Sequence, residues 1–187
     1  MSTMKARNNQ SLNSVFGVPY TKDMNLNPKW QEKNIVFLDL PFTMYLAWDT
    51  TTAVKRIRVH KTAAPYFKKA FAAVWAKAKY ITKQTYGFSQ TSEFYNEKTI
   101  EFLHSSRLDL LGGAFLFRKM RGSNQISNHS YGIAIDIDSL HHVMGDKKAT
   151  FPEWYIGCWT GAGFKWGGLW SGSKRDSMHF EITKIAG

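Results

Sequence analysis

The segment SNHSYGIAIDID, residues 127–138, alternates large apolar residues with small or acidic ones. Successive side chains of a β-strand point to opposite faces, so Ile133, Ile135 and Ile137 are expected to share one face that packs into a core. The residues between and after the isoleucines are expected to line the other face: Gly132, Ala134, Asp136 and Asp138. Residues 132–138 are therefore predicted to form a strand with one buried face and open space beside the Asp136 carboxylate.

Potential metal ligands cluster around this strand and recur near the C-terminus. His129 precedes the strand, and a bend at residues 130–131 would return its imidazole to the Asp136 face. A catalytic zinc is usually held by three protein ligands and keeps one open position. His179 can complete that set, and Asp176 lies three residues earlier, in the loop before a predicted strand at residues 179–182. A carboxylate beside a metal-polarised water is what amide hydrolysis requires.

The rest of the chain predicts one α+β domain over residues 1–187, with a small antiparallel sheet that carries the zinc site and flanking helices. Residues 64–84 predict the clearest helix, because Phe67, Phe71, Val74 and Ala78 recur at spacings of three and four. Shorter segments predict further helices at 92–103 and 152–158, and strands at 35–40, 44–48, 54–59 and 114–117. Polar residues 1–32 are predicted to be an irregular N-terminal extension, and no separate cell-wall-binding domain is expected.

The formal net charge of +11 predicts attraction to a polyanion, whether nucleic acid, a membrane surface or a bacterial wall. The basic residues are scattered and match no nucleic-acid motif, so no nucleic-acid partner is expected. The lysines of helix 64–84 are expected to be a solvated face, with envelope binding left open. The single cysteine, Cys158, excludes an internal disulfide. The polar N-terminus and the lack of a long apolar run predict a protein made in the cytoplasm without membrane insertion.

Two motifs carry a resemblance to a known superfamily. S-x-H-x-x-G-x-A-x-D at residues 127–136 and D-x-M-H-F-E at residues 176–181 occur in that order, about forty residues apart. Together they resemble the zinc peptidases of bacterial cell-wall peptides, which include D-alanyl-D-alanine carboxypeptidases and L-alanyl-D-glutamate endopeptidases. Residues 113–182 are most similar to the phage endolysin endopeptidases.

The resemblance implies a role for each matching residue. His129, Asp136 and His179 match the ligands of one Zn²⁺ per chain. Asp176 matches the catalytic acid/base, and the carboxypeptidase and dipeptidase branch typically has glutamate there, so aspartate favours the endopeptidase branch. Arg118 matches an arginine that stabilises the charge developing on the scissile carbonyl.

The resemblance implies further residues in substrate binding and leaves the roles of two carboxylates open. Ser127 matches the motif serine, Trp166 belongs to the aromatic-glycine segment expected to wall the cleft, and Arg121 is an alternative to Arg118 that would hold a substrate carboxylate. Asp138 is either a partner of a metal ligand or a structural carboxylate. Glu181 either orients a ligand, forms a salt bridge or is exposed.

The resemblance implies a monomeric zinc endopeptidase of the endolysin type, which cleaves the L-alanyl-D-glutamate bond of peptidoglycan stem peptides. It would be made in the host bacterial cytoplasm, reach the wall through a membrane lesion, and use its positive charge to approach the anionic envelope. Two alternatives remain open: a D-alanyl-D-alanine carboxypeptidase, and a non-enzymatic basic binding protein.

Overall fold

A six-stranded sheet organises the chain, with the strand order β2-β1-β3-β4-β6-β5. The computed structural model describes residues 9–120, 122–182 and 185. The strands are β1 (Ile35–Leu46), β2 (Asp49–His60), β3 (Leu110–Gly113), β4 (Ala134–Ile137), β5 (Phe164–Trp166) and β6 (His179–Ile182). The helices are α1 (Asn9–Phe16), α2 (Pro28–Asn34), α3 (Ala64–Tyr86), α4 (Ser92–Ser105) and α5 (Glu153–Gly161). Among the strand pairs of the described residues, only β1–β3 is parallel, so the predicted α+β class with a mainly antiparallel sheet is confirmed.

The two faces of the sheet have different chemistry at β4 and β6. Ile135 lies opposite Phe180, and the Phe180 ring contacts Trp159 of α5 at 5.1 Å between ring centroids. Trp159 in turn packs against Phe71 of α3, so α3 and α5 cover this face. Residues that are paired across neighbouring strands share a face. The opposite face therefore carries the pairs Asp136–His179 and Ala134–Glu181.

Helix α3 confirms the strongest helical pattern of the sequence. Pro65 lies in its first turn, where the missing N–H costs nothing, and Gly87 ends it with a φ of 79°. The predicted apolar positions are buried: Phe67, Phe71, Val74 and Ala78. In the part of the chain that the structure describes, no helix combines the length and the apolar character that a bilayer crossing requires.

The N-terminal segment corrects the prediction of an irregular extension over residues 1–32. Residues 1–8 lie outside the described residues, but residues 9–34 contain α1 and α2. Leu12, Phe16 and Trp30 are buried, and the Trp30 indole Nε1 donates to the Phe16 carbonyl at 2.8 Å. A few apolar anchors thus fix this segment to the core, although its overall composition is polar.

Strand β3 ends where the sequence predicted a strand to begin. Residues 114–117 are not a strand, because Gly113 has a φ of 144° and the backbone leaves the sheet there. The Ala114 carbonyl accepts a hydrogen bond from the His129 ring rather than from a neighbouring strand. The chain that leaves β3 thereby reaches the candidate site.

Gly132 has a different role from the one its place in the alternation predicted. It caps the short 3₁₀ helix Asn128–Tyr131 with a φ of 69°, a conformation that side chains disfavour. An added Cβ would lie 2.7 Å from the His60 backbone nitrogen. Glycine is therefore required here by the backbone and by close packing on β2, and not to clear space beside Asp136.

The burial of the His60 ring predicts that the folded protein loses stability in mild acid. Its ring is buried, Nδ1 accepts from the Thr62 backbone N–H at 3.1 Å, and Nε2 lies 3.2 Å from the Phe16 carbonyl. Burial lowers the pKa of His60 from 6.5 to about 4. The unfolded chain therefore binds more protons between pH 4 and 6.5, and the free energy of unfolding should fall by about 3 kcal/mol as the pH drops through that window.

Urea unfolding at pH 7, 5.5 and 4.5 measures this effect. His60→Gln should flatten the pH dependence over that range, because the buried titrating ring is gone. An unchanged slope in His60→Gln would show that other groups cause the acid sensitivity.

Candidate metal centre

Three side chains from separate elements meet on the open face of the sheet. Asp136 of β4 lies opposite His179 of β6, and His129 comes from the 3₁₀ helix just before β4. The His179 Nδ1 is 2.9 Å from the Asp136 Oδ1, and the His129 Nε2 is 3.1 Å from the same oxygen. The two ring nitrogens are 3.2 Å apart. The structure thus brings together the three residues that the sequence predicted as metal ligands.

The geometry and chemistry of this trio fit a zinc ion. Two imidazole nitrogens and one carboxylate oxygen are typical zinc ligands, and ligand atoms of a tetrahedral zinc lie about 3.3 Å apart. All three side chains are buried, and their ligand atoms lie within 4.8 Å of one another. His129, Asp136 and His179 would therefore form one face of the coordination shell and leave the cleft side open.

Each histidine is oriented through its other ring nitrogen. The His129 Nδ1 donates to the Ala114 carbonyl at 2.7 Å, which directs its Nε2 at the other two residues of the trio. The His179 Nε2 lies 3.1 Å from the Glu181 Oε2, and the Asn128 amide donates to that same oxygen at 2.6 Å. Such outer partners fix the tautomer and the ring orientation of metal-binding histidines. Glu181, left open by the sequence, is therefore a buried partner of His179.

Without a metal, Asp136 and His179 strongly shift each other's pKa. Burial raises the pKa of Asp136, but the charge and the hydrogen bonds of His129 and His179 outweigh it and hold that pKa below its usual range. Burial lowers the pKa of His179, but hydrogen bonds to Asp136 and Glu181 raise it to about 10. A proton on His179 therefore occupies the position that a cation would take, and a metal would replace it.

Asp176 lies beside the trio, at the wall of a cleft. Burial raises the pKa of its carboxyl, whereas the nearby His179 and Arg118 oppose that rise. Its Oδ1 is buried without a hydrogen-bond partner among the described residues. A carboxyl group with a raised pKa that faces a cleft is suited to accept and return protons.

Gly167 allows the Asp176 backbone to come this close. The Asp176 N–H donates to the Gly167 carbonyl at 3.0 Å, and an added Cβ on Gly167 would lie 2.4 Å from the Asp176 carbonyl oxygen. The neighbouring Trp166 donates from its indole Nε1 to the Ser177 carbonyl at 2.8 Å. The aromatic-glycine segment therefore supports the loop that carries Asp176.

The cleft has a volume of about 620 Å³, and both polar and apolar side chains line it. Asp136, Asp176, His179 and Glu181 line it near the trio. The other polar lining residues are Arg118, Lys119, Ser127, Asn128 and Ser139, and the apolar ones are Met120, Val143, Met144, Trp170 and Met178. This arrangement suits a peptide that carries both a carboxylate and a small apolar group.

The predicted substrate-binding residues differ in where they lie relative to the cleft. Arg118 is exposed and lines the cleft. Ser127 is buried but also lines the cleft, and its Oγ accepts from the His129 backbone N–H at 3.4 Å. Arg121 lies outside the described residues. Trp166 is buried and is not among the residues that line the cleft. Trp170 lines it instead, with its ring centroid 5.5 Å from that of His179.

Sequence reasoning did not single out Trp170 and left Glu181 undecided. Glu181 carried a readable signal, because the alternation of β6 places it on the same face as His179. The choice between Trp166 and Trp170 carried none, since it depends on how the loop after β5 folds over the sheet. The 3₁₀ helix Gly167–Leu169 at that point separates the two rings.

Replacing Glu181 with glutamine should weaken zinc binding by about 10- to 100-fold, because the His179 ring would lose its charged acceptor. A competition titration against a chromophoric chelator measures the change. Glu153→Gln, at an exposed position on α5, is the control and should bind zinc like the wild type. Equal affinities in all three proteins would mean that Glu181 does not orient His179.

One comparison with known proteins agrees with this site. Residues 121–182, about a third of the chain, match a family described as D-alanyl-D-alanine carboxypeptidase. That segment contains His129, Asp136, Asp176 and His179. The match supports the superfamily of zinc peptidases that act on bacterial cell-wall peptides. No curated protein and no solved structure matched the chain.

Proposed function

We propose that the protein is a zinc-dependent peptidoglycan endopeptidase of the phage endolysin type, which hydrolyses the L-alanyl-D-glutamate bond of the stem peptide. The observation that carries this proposal is the buried trio His129, Asp136 and His179 beside a cleft that Asp176 also lines. The family match supports the coarser statement of a zinc peptidase for cell-wall peptides. The aspartate at position 176 favours the endopeptidase branch.

The residues of the chain divide the chemistry between them. The bound zinc would act as a Lewis acid toward the scissile amide and the attacking water. Asp176 accepts the proton of the attacking water and delivers it to the leaving amine. Arg118, which lines the cleft, stabilises negative charge on the scissile carbonyl oxygen. Glu181 and the Ala114 carbonyl hold the two imidazoles so that His179 and His129 keep their orientation.

The cleft also supports the choice of bond. Cleavage between L-alanine and D-glutamate needs a small apolar site on one side and a cationic site on the other. Val143 and Met144 provide apolar contacts for the alanine methyl group, and Arg118 and Lys119 provide cations for the glutamate carboxylate. Ser127 also lines the cleft and contributes a hydroxyl group.

The net charge of +11 supports action at an anionic envelope. Lys68, Lys69 and Lys77 of α3 are exposed, and α3 packs on the sheet face opposite the metal centre. We therefore propose that the protein acts as a monomer, is made in the host cytoplasm and meets the wall after another protein has opened the membrane.

Digestion of purified peptidoglycan and mass analysis of the fragments tests the proposal. The expected product carries a new amino terminus on D-glutamate and leaves L-alanine on the glycan side. Release of free D-alanine without that terminus would instead identify a D-alanyl-D-alanine carboxypeptidase, the activity that the matched family description names. A protein that yields neither product and binds no zinc would be a basic binding protein.

A further inference from the structure

Asp138, the second aspartate of the IDID segment, does not join the metal trio. Its φ of 46° breaks the strand alternation immediately after β4, and its side chain is almost fully buried. The Arg107 Nε donates to its Oδ2 at 3.1 Å, and the His141 Nδ1 lies 2.6 Å from its Oδ1. Arg107 also has a left-handed backbone, with a φ of 55°. Two strained residues are therefore joined by one ion pair, and strain of this kind persists only where the surroundings enforce it.

His142 connects Asp138 to the loop that holds Asp176. Its ring is buried and stacks on Phe151 with 4.0 Å between ring centroids. The His142 Nε2 is 3.9 Å from the Asp138 Oδ2, and its Nδ1 is 3.1 Å from the Ser177 Oγ. That separation from Asp138 is too long for a hydrogen bond, but the negative charge of the carboxylate favours the tautomer with the proton on Nε2, in which Nδ1 accepts from the Ser177 hydroxyl.

The loop itself is held from two sides. On one side, Trp166 donates to the Ser177 carbonyl, and Gly167 contacts the Asp176 backbone. On the other side, the His142 Nδ1 accepts a hydrogen bond from the hydroxyl group of Ser177, which is fully buried. The buried Oδ1 of Asp176 has no hydrogen-bond partner among the described residues. The position of that carboxylate therefore depends on the backbone of residues 176 and 177.

We propose that Asp138 and His142 are positioning residues, which hold the Asp176 carboxylate toward the metal centre through the hydroxyl group of Ser177. This inference rests on the proposed function, which assigns the proton transfer to Asp176. The charge of Asp138, 3.9 Å from the His142 Nε2, favours the proton on that nitrogen, and the ion pair with Arg107 holds Asp138 in place. A displacement of about 1 Å at a reacting group costs about 100-fold in rate, so even a small shift of the loop has a measurable effect.

Steady-state kinetics of the zinc-loaded protein on peptidoglycan fragments test the inference. His142→Phe keeps the ring stacked on Phe151 but removes the acceptor for Ser177, and Ser177→Ala removes the same hydrogen bond from its other end. Both variants should lose about 10- to 100-fold in kcat, with KM and zinc content unchanged. The double variant should be no slower than the slower single variant, because both changes remove one shared contact.

Rescue and control variants separate positioning from general destabilisation. His142→Asn places an amide oxygen near the former Nδ1 position and should recover most of kcat. His104→Asn disturbs another imidazole that is bonded to a buried carboxylate, that of Asp109, and should leave kcat unchanged. Asp138→Asn should lower kcat like His142→Phe while zinc stays bound.

Three results would overturn the inference: an unchanged kcat in Ser177→Ala, a kcat loss that follows zinc loss, or an equal loss in His104→Asn. If His142→Phe does not fold, Ser177→Ala and the Asn rescue decide the question. A wild-type protein without activity on peptidoglycan would refute the proposed function, whereas an active wild type with fully active Ser177→Ala would refute only the role of His142.

Discussion

Asp176→Asn should reduce peptidoglycan cleavage by about 10²- to 10⁴-fold, because the side chain could no longer accept a proton from the attacking water. Zinc binding should persist, since the trio His129, Asp136 and His179 is intact. Asparagine has the same size as aspartate, so it fits into the buried site around the Asp176 Oδ1. The measurement is the initial rate of fragment release, with the zinc content of each preparation determined by mass spectrometry.

Asp146→Asn is the control for this substitution. Asp146 is exposed, accepts hydrogen bonds from the backbone N–H groups of Lys148 and Ala149, and lies outside the cleft. Its variant should cleave at the wild-type rate. If Asp176→Asn cleaves as fast as Asp146→Asn, Asp176 has no role in the reaction. Loss of zinc from Asp176→Asn would show that Asp176 supports metal binding instead.

His129→Ala should abolish both zinc binding and activity, because it removes one of three ligands and leaves the Ala114 carbonyl without its donor. A ligand that binds only the folded state stabilises it by about 2.7 kcal/mol at 100 times its dissociation constant. Zinc should therefore raise the melting temperature of the wild type but not of His129→Ala. Thermal unfolding with zinc and with a chelator measures the difference.

The matched control is His141→Ala, at a half-exposed position outside the trio. That variant should keep the zinc-dependent rise in melting temperature. If His129→Ala also keeps it, zinc binds elsewhere and the trio is not the metal centre. If neither the wild type nor the control responds to zinc, the zinc-peptidase proposal itself fails.

Predictions from periodicity succeeded where one element faces one environment. The spacing of Phe67, Phe71 and Val74 predicted α3, and the alternation of Ile135 and Ile137 predicted β4 with its buried face. These patterns depend on local geometry, since a helix and a strand impose fixed periods on their side chains. The same patterns were less reliable at element ends, where Gly113 ended β3 before the predicted strand.

Periodicity failed where one residue left the regular backbone. Extending the strand alternation placed Asp138 on the Asp136 face, but its left-handed φ directs it to Arg107 and His142. Gly132 also lies outside β4, at the end of a 3₁₀ helix. Positive φ values at non-glycine residues are rare even for aspartate, which adopts them more often than most residues, so the strand pattern did not predict this one.

The sequence by itself determined the helix and strand patterns, the residue types of a candidate zinc site and the order of its two motifs. Only the tertiary structure decided that Trp170 and not Trp166 lines the cleft, that Glu181 bonds to His179, and that Asp138 connects through His142 to Ser177. The physical reason is the range of the interactions. Periodic burial acts within one element, whereas each of these contacts joins residues whose distance depends on how separate loops and strands pack together.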